Sequence, residues 1–197
     1  MSVEKAFLNF PTLMTDRLIL REVRLSDAEP MFTYFSDHEV MKYYGSKPHA
    51  TLEDTQAWVT RMTKRYMAQQ GIRWIVTFKT TDIAVGSVSF HQFDPDYTRV
   101  EVGYDLHPDH WGTGVMREAV TAVLDYGFNE MNLHRIEATI DDDNSRSKGL
   151  LLRLGFQFEG CLRGRFFGEG VFLDDYIYGL LRSEWAEHAK TLKRAQK

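Results

Sequence analysis

The residues best placed to hold a ligand are Trp111-Gly112-Thr113-Gly114. Glycine lets the backbone turn sharply and approach a ligand closely, because no Cβ intervenes. These residues stand between a strand pattern and a helix pattern. The first N–H groups of such a helix have no intrahelical partner, and the positive end of its dipole lies behind them. A phosphate or diphosphate is the natural occupant. Two standard phosphate motifs are excluded. No G-x-x-x-x-G-K-[ST] run occurs, and a dinucleotide-binding turn needs glycine where Arg117 stands. His107-x-x-His110, with Asp105 and Asp109, has metal-ligating residue types. Pro108 spoils a regular face and no cysteine joins them, so no metal is expected.

The turn implies the elements around it. Val100, Val102, Tyr104 and Leu106 alternate with Arg99, Glu101, Gly103 and Asp105, the period of a half-buried strand. Pro108 ends it. Val115, Met116, Ala119, Val120, Val123, Leu124 and Phe128 then form a helical stripe. Leu133 to Ile140 reads as a second strand. Asn144 as N-cap and Gly155 just past the end mark a short helix between them.

Upstream, Arg17 to Val23 reads as a strand and Ser26-x-x-Glu29 as a capping box opening a helix to about Phe35. Asp37 to Tyr44 is a short helical piece closed by Gly45. Thr51-x-x-Asp54 opens a longer helix to about Gln69, with Trp58 on its apolar stripe and Gly71 after it. Arg73 to Lys79 and Ile83 to Phe90 form a hairpin, and Asp94-Pro95-Asp96 a turn. Downstream, Phe156 to Glu159 and Val171 to Leu181 are strands flanking a loop from Gly164 to Gly170, and Ser183 starts a terminal helix.

Composition sets bounds. The chain has 197 residues, 43% of them hydrophobic, which suits one domain with a proper core. Its net charge of −4, without a basic cluster, argues against nucleic-acid binding. One cysteine, Cys161, forbids an intramolecular disulfide and fits a reducing compartment; a small buried hydrophobe is its expected role. No apolar run suits a signal peptide or a membrane span. A cytoplasmic protein is expected.

The order and spacing of several short motifs resemble those of the GNAT superfamily of acyl-CoA-dependent N-acetyltransferases. They are Thr15-Asp16-Arg17-Leu18-Ile19-Leu20-Arg21, Glu101-Val102-Gly103-Tyr104, Trp111-Gly112-Thr113-Gly114, Asn144-x-x-Ser147, Leu154-Gly155-Phe156, Glu159-Gly160 and Leu181-Arg182-Ser183-Glu184-Trp185. The chain looks most like the branch named for ribosomal-protein N-terminal acetyltransferases. The resemblance implies an α+β fold, with residues 1–197 as a single GNAT-like domain. Its mixed, mostly antiparallel sheet would have about seven strands with flanking helices. The central strands Val100–His107 and Leu133–Ile140 would splay apart, and acetyl-CoA would fill the slot.

The site residues follow from that resemblance. Main-chain N–H groups of Trp111, Gly112, Thr113, Gly114 and Val115 would hold the diphosphate, and Asp105, Leu106 and His107 would pair with the pantetheine arm. Asn144 would cap its helix and bind the pantetheine. Asp109 is a departure, since the family usually places Gln or Arg there. Glu101 is the first candidate base, with His91 and Asp94 second. A Glu used in part of this branch is matched here by Phe166, while Glu169 lies nearby in another register. The tyrosine many members use as acid is replaced by Leu151, so Ser147 becomes the candidate acid. A main-chain N–H near Leu106 or His107 would stabilise the oxyanion.

The acceptor is a matter of magnitude. An α-amine has a pKa of about 7.7–8.0 and a lysine about 10.4, so neutralisation at pH 7 costs about 1 kcal/mol for the first and about 4–5 kcal/mol for the second. A protein N-terminal α-amine is the leading acceptor. A small amine, such as a polyamine, amino acid or drug, is the alternative, and a non-catalytic acyl-CoA sensor the non-enzyme one. Asp174-Asp175 would bear either on a cationic acceptor or on the surface. A homodimer is left open.

Overall fold

The computed structural model describes residues 3–94, 96, 98–168 and 170–195. Pro95 of the expected turn and Glu169 lie outside the described residues. The elements in order are α1 (Val3–Leu8), β1 (Leu13–Met14), β2 (Leu18–Glu22), α2 (Ala28–Phe35), α3 (His38–Met41), α4 (Leu52–Met67), β3 (Gly71–Phe78), β4 (Ala84–His91), β5 (Arg99–Leu106), α5 (Val115–Asn129), β6 (Arg135–Ile140), α6 (Ser145–Arg153), β7 (Gln157–Gly168), β8 (Val171–Leu181) and α7 (Arg182–Ala195). Short 3-10 turns at Leu25–Asp27 and Pro108–His110 precede α2 and the glycine turn.

The strands form one sheet in the order β1-β2-β3-β4-β5-β6-β8-β7. Among the described residues every neighbouring pair is antiparallel except β5 with β6. That parallel pairing covers only Arg99↔Arg135, Val100↔Ile136 and Glu101↔Glu137. Past Glu101, β5 keeps its ladder with β4 as far as Leu106↔Gly86, and β6 keeps its own with β8 as far as Ile140↔Tyr176. The two central strands therefore diverge and leave a slot, as the resemblance implied.

Alternation along each strand separates two faces. On one, α5 lays its whole predicted stripe, Val115 to Phe128, against Val100, Val102 and Phe90. Gly127 permits that approach, because a Cβ there would lie 2.9 Å from the Phe90 ring. Each CH2 so buried is worth about 0.8 kcal/mol. On the other face, α2, α3 and α4 pack through Met31, Tyr34, Phe35, Met41, Trp58 and Val59 against Ile75 and Ala84.

The sheet of about seven strands is present with eight, one of them two residues long. Other expectations are corrected. The Ser26 capping box does not form. Asp27 takes the role instead, its buried carboxylate accepting the Arg24 N–H at 2.7 Å and pairing with Arg21 at 2.7 Å. The expected loop from Gly164 is mostly strand, for β7 runs on to Gly168. Gly164 takes φ +61° inside a bulge, and its N–H donates to Asp174 Oδ1 at 2.7 Å. The Thr51–Asp54 capping box and the Asn144 cap form as expected.

Candidate active site

The slot is lined on one side by the end of β5. The His107 N–H donates to Val85 O at 2.8 Å, which makes these two a hydrogen-bonded pair of the antiparallel ladder. It follows that the peptide groups of Leu106 turn the other way, into the slot. The Leu106 carbonyl accepts the Trp111 indole N–H at 2.9 Å, which ties the strand end to the glycine turn. Of the two residues named for the oxyanion, Leu106 thus has its N–H toward the slot, while the N–H of His107 is already spent.

The turn itself is built on two left-handed glycines, Gly112 at φ +75° and Gly114 at φ +80°. No atom lies within 4 Å of where a Gly112 Cβ would stand, so the turn faces open space. The Trp111 N–H is taken by Pro108 O at 2.9 Å and that of Thr113 by His110 O at 3.4 Å. Among the described residues the amides of Gly112 and Gly114 keep no main-chain partner, and α5 begins directly after them. Glu118, in the first turn of α5, is bound by the Thr15 hydroxyl at 2.5 Å and by Arg17 Nε at 2.7 Å. The Thr15-Asp16-Arg17 motif is therefore a brace for this turn. Asp109, the unexpected acid, is 81% exposed, with its carboxylate 3.7 Å from His107 Nδ1.

Across the slot stands α6. Asn144 Oδ1 accepts the Ser147 N–H at 3.1 Å, fixing the first turn. Ser147 is buried, and its hydroxyl lies 2.6 Å from that of Tyr104 on β5. Burial raises the Tyr104 hydroxyl pKa well above 10, and it stays protonated through neutral pH. Arg146, one residue before Ser147, places its guanidinium 4.0 Å over the Trp111 ring. Arg146 did not stand out in the sequence, and Tyr104, though part of a resemblance motif, had no role assigned. Tyr104 read as one apolar member of an alternating strand, and its use depends on an α6 that lies across a gap no local pattern encodes.

The other face carries the acid–base groups. Glu101 sits where the parallel pairing ends, half-buried beside the Thr139 hydroxyl. Burial raises its carboxyl pKa, and the neighbouring Glu137 and Asp175 add to the rise. Asp175 and Asp141 are likewise raised by burial and by each other or nearby acids. Asp94 is spent on structure, accepting from Thr98 and Arg99 N–H groups at 2.6 and 2.9 Å. His91 is held neutral, its pKa pushed down to about 4 by burial and by Arg73 and Arg65. The Asp105 side chain turns away from the slot. Buried, it accepts from Ser87 Oγ at 2.5 Å, Tyr34 Oη at 3.0 Å and Arg73 Nη1 at 3.1 Å. The peptide groups of Asp105, like those of His107 two residues on, turn toward β4, which leaves Leu106 as the slot-facing peptide of the three. Phe166 packs near Gly45, where a Cβ would lie 3.6 Å from its ring.

A family model described as an acetyltransferase (GNAT) domain matches residues 17–157, from β2 to the start of β7. The chain belongs to the GNAT acetyltransferases. The uncharacterised N-acetyltransferase YoaA of Bacillus subtilis (strain 168) is 37% identical over 173 residues, 88% of this chain and 98% of the relative. The crystal structure of a GNAT-family acetyltransferase from Bacillus anthracis superposes with a TM-score of 0.79 at 30% identity, covering 88% of this chain and 100% of that one. Two more distant relatives carry named substrates. The ribosomal protein uS5-alanine N-acetyltransferase of Escherichia coli (strain K12) is 27% identical over 182 residues, 88% of this chain and 92% of the relative. The spermidine N(1)-acetyltransferase of Vibrio cholerae is 22% identical over 177 residues, 90% of this chain and 100% of the relative.

As a GNAT enzyme the chain transfers an acetyl group from acetyl-CoA to an amine. Its residues fit that donor. The slot offers outward-turned peptide groups, and the cradle has the free space and free amides that a diphosphate requires. Among the described residues no three His, Cys, Asp or Glu side chains gather as a metal site would need, and no helix is long and apolar enough to cross a membrane.

Proposed function

We propose that this GNAT enzyme acetylates the α-amine of a protein or peptide N-terminus. The observation that carries the reading is Glu101, a half-buried carboxyl with a raised proton affinity at the point where the slot opens. Such a group takes a proton from an α-ammonium, pKa about 7.7–8.0, with a smaller deficit than an unshifted carboxylate would face. It is poorly matched to an amine near 10.4, whose neutralisation costs several kcal/mol.

Bound acetyl-CoA supplies an activated acetyl thioester. Gly112, Gly114 and Val115 hold its diphosphate, and Asn144 and the slot-facing Leu106 peptide of β5 hold the pantetheine. The Leu106 N–H, turned into the slot, is the donor for the carbonyl oxygen. Glu101 accepts the proton the amine gives up, directly or through one water, as the new N–C bond forms and the C–S bond breaks. Ser147, backed by Tyr104, donates a proton to the departing sulfur, and the N-terminus of α6 favours negative charge there.

The uS5-alanine acetyltransferase relative supports this acceptor class. The spermidine acetyltransferase relative supports the other, a small polyamine, as do the acids Asp175 and Asp141. Turnover of acetyl-CoA against N-terminal peptides and against spermidine decides between them. Peptide acetylation with the higher kcat/KM is expected. Turnover of spermidine alone would overturn the reading.

A further inference from the structure

On the strand next to Glu101 lies a small cleft of about 20 Å3, lined by Met62 and Arg65 of α4, Arg73 of β3, and Ser89 and His91 of β4. That is room for one oxygen-sized group. Among the described residues two of its side-chain nitrogens are buried without a hydrogen-bond partner, Arg73 Nε and His91 Nδ1. They stand out, since buried polar atoms are nearly always paired. The rest of each side chain is held. Arg73 Nη1 donates to Ser87 Oγ at 2.7 Å and to Asp105 Oδ2 at 3.1 Å, and its guanidinium lies 5.1 Å from the Trp58 ring centroid. The His91 ring lies over Gly103, where a Cβ would come within 3.2 Å of Nε2. The ring can occupy that place because residue 103 is glycine.

The cleft is one strand away from the base. His91 and Glu101 are directly opposed across β4 and β5, and Arg73, Ser89 and Gly103 form the adjacent row. Opposed residues on one face have Cβ atoms about 4.5–5.5 Å apart. An amine at Glu101 therefore has the cleft on its β3 side and the acids Glu137 and Asp175 on its β8 side.

The unmet atoms set the chemistry of the occupant. Arg73 Nε carries a hydrogen and has no lone pair to offer, and a neutral His91 can place its hydrogen on Nδ1. Arg65 adds a second positive charge. A group with lone pairs and no hydrogens answers both donors. An ammonium or a neutral amine answers Arg73 not at all. The carbonyl next to the amine of an α-amino-acyl acceptor is a group of that kind.

We infer that the Arg65–Arg73–His91 cleft is a specificity subsite that holds the carbonyl oxygen of the acceptor's first residue, so that the enzyme selects α-amino-acyl acceptors over amines lacking that carbonyl. The inference rests on the α-amine reading above and deepens it. It assigns the discrimination to hydrogen bonding on the β3 side of the amine and leaves proton removal to Glu101.

The test compares two acceptors of equal length, an N-terminal dipeptide amide and its analogue with the first carbonyl reduced to methylene. Wild-type enzyme should favour the dipeptide amide in kcat/KM by about tenfold, the order of one unmet buried donor. His91→Leu, which fills the cleft and removes one donor, should narrow that preference to about twofold, mainly through KM. Arg65→Met gives a second measurement of the same ratio if His91→Leu does not fold. Equal turnover of the two acceptors by wild type would overturn the inference, as would a full preference kept by stable variants; the cleft would then hold only a water. Peptide acetylation in either case leaves the α-amine reading standing. Turnover of spermidine with no peptide turnover removes both.

Discussion

The hydroxyls of Tyr104 and Ser147 meet at 2.6 Å across the slot between β5 and α6. Tyr104 comes from β5 and Ser147 from the first turn of α6, so on the proposed mechanism the pair flanks the departing sulfur. Tyr104→Phe should lower kcat by about ten- to a hundredfold, at the low end of acid catalysis, with acetyl-CoA affinity unchanged. Ser147→Ala should lower kcat similarly and also cost about 1–3 kcal/mol of stability, because the buried Tyr104 hydroxyl loses its partner. Rapid-quench kinetics at saturating acetyl-CoA and denaturant unfolding read the two effects separately. Full kcat in both variants would remove this pair from the reaction.

Glu101 gives a pH signature with a definite sign. It works as a base only when ionised, and burial raises its pKa above 4.5. The acid limb of kcat/KM should therefore lie above the ordinary carboxylate range, with activity rising as pH rises through it. Glu101→Gln should abolish that limb and lower kcat/KM by about a hundredfold. Stability should move the opposite way. A carboxyl whose folded pKa is raised contributes stability that is full below its unfolded pKa and lost as pH rises through the folded one. At pH 7 Glu101→Gln should melt higher than wild type, and a pH–Tm series on both proteins checks it.

Asp105 is the buried hub that places Arg73, Ser87 and Tyr34. Asp105→Asn leaves the Arg73 guanidinium without its carboxylate in a buried setting, which costs about 3–5 kcal/mol. Chemical denaturation measures this directly. Acetyl-CoA affinity at a temperature where the variant remains folded should stay near wild type, because the Asp105 side chain faces α2 rather than the slot.

Arg146 stacks on Trp111 at 4.0 Å, at the mouth of the slot beside the diphosphate cradle. Binding of a diphosphate there draws the guanidinium toward a doubly charged partner. Trp111 fluorescence should change on titration with acetyl-CoA, and Arg146→Ala should weaken that binding by about tenfold. A titration that leaves the Trp111 signal and the affinity of Arg146→Ala both unchanged would show that the stack has no part in binding.

The sequence carried what is local. The Val100–Tyr126 strand, turn and helix, the Thr51 and Asn144 caps and the α5 stripe are each encoded by neighbours in the chain, and each forms where its pattern places it. What was illegible depends on partners far away. Ser26 had the spacing of a cap, but Asp27 has Arg21 as an ion-pair partner and wins the backbone N–H. Gly164 read as a loop residue, yet Asp174 on the opposite strand holds it in a bulge. The slot itself is visible only as the place where β5 and β6 stop pairing, and Tyr104 acquires a role only because α6 lies across it. His91 and Arg73 carry no motif; their unmet nitrogens appear only once α4 closes over the strands.

The central claim is that the glycine turn and the slot seat acetyl-CoA. Calorimetric titration of the intact protein with acetyl-CoA, beside Gly114→Val, tests it most directly. Gly114 sits at φ +80°, where a β-branched residue is strained by about 1–2 kcal/mol and the cap of α5 must shift. The account predicts one saturable site in wild type, competed by free CoA, and binding weakened at least about tenfold in a folded Gly114→Val. No heat from folded wild type, or equal affinity in the two proteins, would contradict it.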